Sequence, residues 1–250
     1  AYTVIGGFLA VSLTDFVQGC IMMVALIVMP IVVLYTGDGG GFAQAGQTLS
    51  GVEGFTLSWW NEDMSLIGWL SLMAWGLGYF GQPHIIVRFM AVRSVAEVST
   101  ARNYAMRWMA ISLIGAIGVG IFGRAYVERS GISLADPETI FILLAETLFP
   151  ALITGFLFAA LLAAIMSTVS SQLLVSSSSL AEDFYRLLIN KKASDRTIVT
   201  VGRIAVVAVG AVAALIAGDP NSEVLGLVSN AWAGFGAAFG PLMILALTWQ

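Results

Sequence analysis

Residues 21–35 read IMMVALIVMPIVVLY, a run from Ile21 to Tyr35 without a single charge. Two further charge-free runs follow, Ile111 to Phe122 and Ala205 to Ala217. No water-soluble core needs so many consecutive apolar positions, whereas a bilayer does. A helix rising about 1.5 Å per residue needs about 20 apolar residues to cross about 30 Å of hydrocarbon. The whole chain agrees with its runs: of 250 residues, 58% are hydrophobic and 10% charged, against roughly 25% charged in a soluble domain. Helix is the only open choice for the spans. Backbone groups in lipid must be satisfied within the segment, and these runs lack the alternation of barrel strands.

Working outward, six spanning segments are expected, at about 13–35, 65–91, 104–127, 150–179, 199–217 and 224–250. A short amphipathic helix is expected at Pro137–Phe149. The connections sort by charge. One alternate set holds Arg88, Arg93, Arg102 and Arg107, then Arg186, Lys191, Lys192 and Arg196, with Arg203 just after. The other set carries acids: Asp38, Glu53, Glu62 and Asp63, then Glu128, Asp136 and Glu138, then Asp219 and Glu223. Six alternating crossings put the two sets on opposite faces, and the positive-inside rule places the basic set in the cytoplasm. The loop at Gly37–Asn61 is glycine-rich and reads as a flexible surface connection. Trp59 and Trp60 at its end read as an interfacial belt.

Composition also excludes several classes. The net charge of −4 and the lack of a basic stripe argue against nucleic acid. One cysteine, Cys20, rules out an internal disulfide framework, and one histidine beside it makes a His/Cys metal site unexpected. Paired intramembrane carboxylates and a nucleophile–base pair are not evident, so the chain does not read as an enzyme. It opens inside an apolar segment without Met or a basic leader, and it stops within a membrane helix at Trp249-Gln250. It therefore reads as a piece truncated at both ends.

Three stretches carry candidate chemistry. In the second segment, Trp75-Gly76-Leu77-Gly78-Tyr79-Phe80-Gly81-Gln82-Pro83 is poor helix chemistry. Such a weak point is either a packing kink or the broken helix of a transporter binding site, where freed backbone lines a polar cavity. Trp75 and Tyr79 are four apart and share one face beside the break. They are either packing aromatics or a wall for a compact solute, and an aromatic face attracts an ammonium group by roughly 0.5–2 kcal/mol. In the fourth segment, Ser167 and Thr168 lie mid-span. Their hydroxyls either bond back to the preceding turn or, with a carbonyl such as that of Ala164, offer oxygens to a hard monovalent cation. In the last segment, Gly236 and Gly240 read as small residues for tight helix packing, as do Gly115, Gly118 and Gly120 in the third. Asp15 reads as a cap at a helix start, and Arg88, after the break, as a side chain snorkelling to the interface.

The stretches GGFLAVSLTDFVQ, MAWGLGYFGQPHIIVRFMA, LAAIMSTVSSQLLVSSS and LGLVSNAWAGFGAAFGP closely resemble the solute:sodium symporter family, and within it the bacterial members that carry proline. The resemblance covers nearly the whole chain. It implies an all-α integral membrane protein with a LeuT-like five-plus-five inverted-repeat core. This chain would hold the end of core helix 4, core helix 5 and the second repeat, core helices 6–10. It further implies that Ala164, Ser167 and Thr168 stand at sodium positions, that Trp75, Tyr79 and Pro83 stand at solute positions together with Ser167, and that Asp15 and Arg88 serve coupling or gating. The first core helix, which supplies the remaining contacts in the family, is not expected here. The implied activity is sodium-coupled uptake of L-proline across a bacterial inner (plasma) membrane. Its partners would be proline, sodium and the lipid bilayer. No further cofactor and no obligatory protein partner are expected. A family member for another small solute, or a transporter-like sensor domain fused to a kinase, fits the same motifs.

Overall fold

A computed structural model describes residues 2–36, 41–52, 55, 64–218 and 224–249, and among them it contains helices and no strand. The helices are α1 (Tyr2–Tyr35), α2 (Gly41–Ser50), α3 (Leu66–Ala74), a 3-10 segment (Trp75–Gly81), α4 (Pro83–Met90), α5 (Val95–Ser130), α6 (Ile140–Leu148, entered through a 3-10 turn at Pro137–Thr139), α7 (Ala151–Ser178), a π-helical segment (Ser179–Ile189), α8 (Asp195–Ile216) and α9 (Val224–Thr248). Among the described residues five helical stretches are long and apolar enough to cross a membrane: Gly6–Tyr35, Val95–Ser130, Ala151–Ile189, Asp195–Ile216 and Gly226–Thr248. The remaining expected span, 65–91, is divided into α3, the 3-10 segment and α4.

The helix ends follow local chemistry. Ser194 caps α8 by accepting from the Thr197 amide at 3.3 Å. Gly131, at φ 63°, closes α5, and the Ile132 amide reaches the Val127 carbonyl at 3.3 Å, the pattern of a left-handed helix cap. Asp136 accepts from the Glu138 amide at 2.9 Å and starts the turn into α6. Gln82 is extended (φ −92°, ψ 105°), as a residue before proline prefers, and Pro83 opens α4, where its missing N–H costs nothing. The end of α7 departs from expectation. The chain continues past Ser179 as eleven residues of π-helix to Ile189, and Arg186 there pairs with Glu182 at 2.9 Å and Asp195 at 2.8 Å.

The chain divides into two compact units, one of Ala1–Phe8, Trp60–Val98 and Ser170–Gln250, the other of Leu9–Trp59 and Ser99–Val169. In the second unit, Met29, Val33, Leu144, Ala145 and Leu157 form a buried core. Helices α1 and α5 run close. A Cβ on Gly115 would lie 2.4 Å from the Leu26 carbonyl oxygen, one on Gly118 would lie 3.0 Å from the Pro30 ring, and the Trp108 indole donates to the Gly19 carbonyl at 3.2 Å. Gly115 and Gly118 thus meet the packing expectation, whereas Gly120 has open space before it. Thr154 ties α6 to α7 by donating towards the Ala145 and Phe149 carbonyls, 2.9 and 3.1 Å away.

The glycine-rich connection is not wholly a loop. Gly41–Ser50 forms α2, with Ala45 and Leu49 buried against Ala125 and Phe42 edge-on to Phe122 at 5.2 Å. Ala45 and Leu49 are four apart, so one turn of helix buries both. Trp59 and Trp60, expected as a belt, lie outside the described residues.

In the first unit, α9 lies along the 3-10 segment. A Cβ on Gly81 would fall 2.3 Å from the Phe235 carbonyl oxygen, and one on Gly236 would fall 2.9 Å from the Gly78 Cα. Gly236 is therefore a contact glycine, while Gly240 stands at an ordinary 3.7 Å from the Leu77 carbonyl. Ala181, Ala193 and Ile198 join the π-helical segment to the start of α8.

Candidate functional site

Three aromatic rings organise the break between α3 and α4. Trp232 of α9 is stacked against Trp75, with centroids 5.9 Å apart and planes 13° apart, and Tyr79 meets it edge-on at 4.8 Å. The Trp232 indole N–H donates to the Trp75 carbonyl at 2.9 Å. That bond satisfies a main-chain acceptor where the α-helical ladder gives way to 3-10 geometry. Gln82, buried, donates its side-chain amide to the Trp232 carbonyl at 3.5 Å. The glycines make this possible: a Cβ on Gly78 would lie 2.0 Å from the Trp232 indole nitrogen. The weak segment is therefore closely packed against α9. Its two aromatics nonetheless stay partly exposed. Trp75 remains 40% and Tyr79 43% exposed, and Trp75 and Trp232 line an open cleft of about 530 Å³ with Ser71, Ser229 and Asn230.

In the second unit, the two mid-span hydroxyls of α7 bond back to the preceding turn. Ser167 donates to the Ala164 carbonyl at 3.0 Å, and Thr168 donates to the same carbonyl at 3.2 Å. A hydroxyl that spends its proton in this way keeps its lone pairs, so the patch offers neutral oxygens in one place. Ala164 and Ser167 are half-buried and Thr168 is exposed. Ala164 also borders an apolar cavity of about 250 Å³ lined by Met22, Ala25, Ala160 and Leu161. A hard monovalent cation takes such oxygens, and low polarity nearby strengthens its attraction to them.

The remaining expected residues fall as follows. Pro83 opens α4 directly beyond the break, half-buried. Arg88, an exposed residue near the end of α4, donates to the buried Ser171 hydroxyl of α7. Asp15 is not a cap. The helix bends at Gly7 (φ 57°, ψ −148°) and is regular after it, so Asp15 sits half-buried within α1, beyond the first turn. An acid gains from the helix dipole only in the first turn, and at Asp15 the hydrogen-bond ladder is already running. Thr14 there bonds back to the Ala10 and Val11 carbonyls, each at 2.9 Å. Trp75, Tyr79, Pro83 and Arg88 thus belong to the first unit, and Asp15, Ala164, Ser167 and Thr168 to the second.

The sequence profile of the Sodium:solute symporter family matches residues 1–250. The chain belongs to that family. Among relatives of this symporter-family chain are the high-affinity proline transporter PutP of Bacillus subtilis (strain 168), 54% identical, and the osmoregulated proline transporter OpuE of the same organism, 49% identical. A sodium/proline symporter of Staphylococcus aureus is 49% identical. Each alignment covers 100% of this chain and 52%, 50% and 48% of the respective relative. The chain thus spans about half the length of the curated relatives it matches. It is a multi-pass integral membrane protein, and these relatives are bacterial.

Sequence reasoning missed Trp232, Gln82 and Ser171 as partners of the symporter chain's candidate residues. Trp232 lies in the last segment, where the local signal is the small-residue spacing of Gly236 and Gly240. Gln82 carried a usable signal, since it is a polar residue in an apolar segment immediately before proline. Ser171 lay in a serine-rich run whose members could not be told apart by spacing.

Proposed function

We propose that the protein carries L-proline into the cell together with sodium, by alternating access across the bacterial inner membrane. The observation that carries this reading is the 49–54% identity, over all of this chain, to relatives named as proline transporters or sodium/proline symporters. Membership of a sodium:solute symporter family supports sodium as the coupling ion. In this reading Ala164, Ser167 and Thr168 supply sodium ligands, the hydroxyls through the lone pairs they keep while bonded back to the Ala164 carbonyl. Trp75, Tyr79 and Pro83 serve the solute, and Ser167 stands in both sets. The two partly exposed aromatic side chains suit the pyrrolidine ring and its ammonium. Asp15 and Arg88 couple or gate, and the Arg88–Ser171 bond supports a link from α4 to α7. The core is read as a LeuT-like inverted repeat, with α1 as core helix 5 and the helices from α3 to α9 as the second repeat.

The test is uptake of labelled L-proline by the full-length protein in proteoliposomes, with and without an inward sodium gradient. Accumulation that requires the gradient and is competed by unlabelled proline is expected. Uptake that ignores sodium, or that only a sugar or a carboxylate competes, would refute the reading.

A further inference from the structure

We infer that Trp232 of α9 is a positioning residue that sets solute specificity by holding the broken segment in its binding shape; the inference rests on the proline-uptake reading. The ring sits at the centre of the aromatic group, stacked on Trp75 and edge-on to Tyr79. Its N–H holds the Trp75 carbonyl at 2.9 Å, so the main chain that carries Trp75 is tied to α9 as well as its ring. Gln82 closes the same clasp from the far side of the 3-10 segment by donating to the Trp232 carbonyl. Gly78 is the receptacle. It alone leaves room for the pyrrole edge of the indole, which a Cβ would meet at 2.0–2.9 Å. Neither Trp75 nor Tyr79 can change its orientation without breaking the stack, the edge contact or the hydrogen bond. Both rings keep exposed surface, 40% for Trp75 and 43% for Tyr79, beside the contacts that fix them. Rings so fixed present a surface of defined width, and that width selects the size of a cyclic amino acid.

The experiment is initial-rate proline uptake by the full-length transporter in proteoliposomes. Competition by L-azetidine-2-carboxylate and L-pipecolate, whose rings are one atom smaller and larger, is measured alongside. Trp232→Phe keeps a ring and removes the N–H. It is expected to raise the proline KM about fivefold, the size of one lost hydrogen bond. It should also flatten the discrimination among the three ring sizes, with the maximal rate at matched protein amount little changed. Gly78→Ala should push the indole out and shift the same two readouts, and it carries the test should Trp232→Phe not reach the membrane. An unchanged KM and unchanged analogue ratios in either variant, or a lower maximal rate alone, would overturn the role of Trp232 and leave the proline reading standing. Absence of sodium-driven proline uptake by the unsubstituted protein would overturn both.

Discussion

Ser167 and Thr168 point their protons at one carbonyl, and removing either hydroxyl takes one oxygen from the patch without disturbing the helix. Ser167→Ala or Thr168→Ala in the full-length protein should raise the sodium concentration for half-maximal uptake about tenfold, the usual scale for a lost bond to a charged group. Sodium titration of uptake at matched expression checks this, and an unshifted half-saturation point would remove the residue from the sodium set. Trp75→Ala should weaken apparent proline affinity by a similar factor through lost aromatic surface and cation–π attraction; the readout is the proline KM. The hydroxyl cluster was legible in the sequence because its partners are three and four residues apart, a separation fixed by helix geometry alone. The partner of Trp75 was not, because Trp232 lies 157 residues away and nothing local marks which tryptophan it meets. Asp15 misled for a related reason. A cap and a mid-helix acid look alike until the helix start is known.

The glycines of the broken segment separate at the scale of elements. Gly81 faces the α9 backbone at distances a Cβ cannot share, whereas Gly76 faces open space. Gly81→Ala should therefore lower thermal stability in detergent, by about 1–3 kcal/mol from forced separation of the two elements. Gly76→Ala should be neutral or slightly stabilising, since alanine reduces the freedom of the unfolded chain. Thermal unfolding of the two variants side by side checks the contrast, and equal loss in both would mean that helix propensity, not approach distance, sets the cost. The weakness of 75–83 could be read from glycine and proline content. Its division into a 3-10 segment and a proline-started helix required knowing what filled the gap. Likewise α2 was hidden in a glycine-rich stretch, because Ala45 and Leu49 make a helix worthwhile only when Ala125 and Phe122 lie beneath them.

At the scale of the molecule, an apolar chain with one cytoplasmic-type basic set and one acidic set belongs in a membrane, and the electric field there acts on the proposed cargo. One sodium moving inward gains roughly 2.3 kcal/mol per 100 mV of interior-negative potential. Imposing such a potential on proteoliposomes should raise the limiting proline accumulation up to about fiftyfold at fixed sodium. Accumulation insensitive to potential would mean that no net charge moves. Linkage adds a reciprocal expectation: sodium must raise proline affinity by the same factor that proline raises sodium affinity, measurable by titrating each ligand at two levels of the other. Helical class, membrane placement and the position of the weak segment followed from composition and spacing, because desolvating a backbone in lipid leaves so few solutions that a local pattern suffices. Which ring rests on which, which glycine is a contact and which acid lies mid-helix were decided only by the tertiary structure. Those outcomes depend on atoms brought together from distant parts of the chain, and no local preference encodes them.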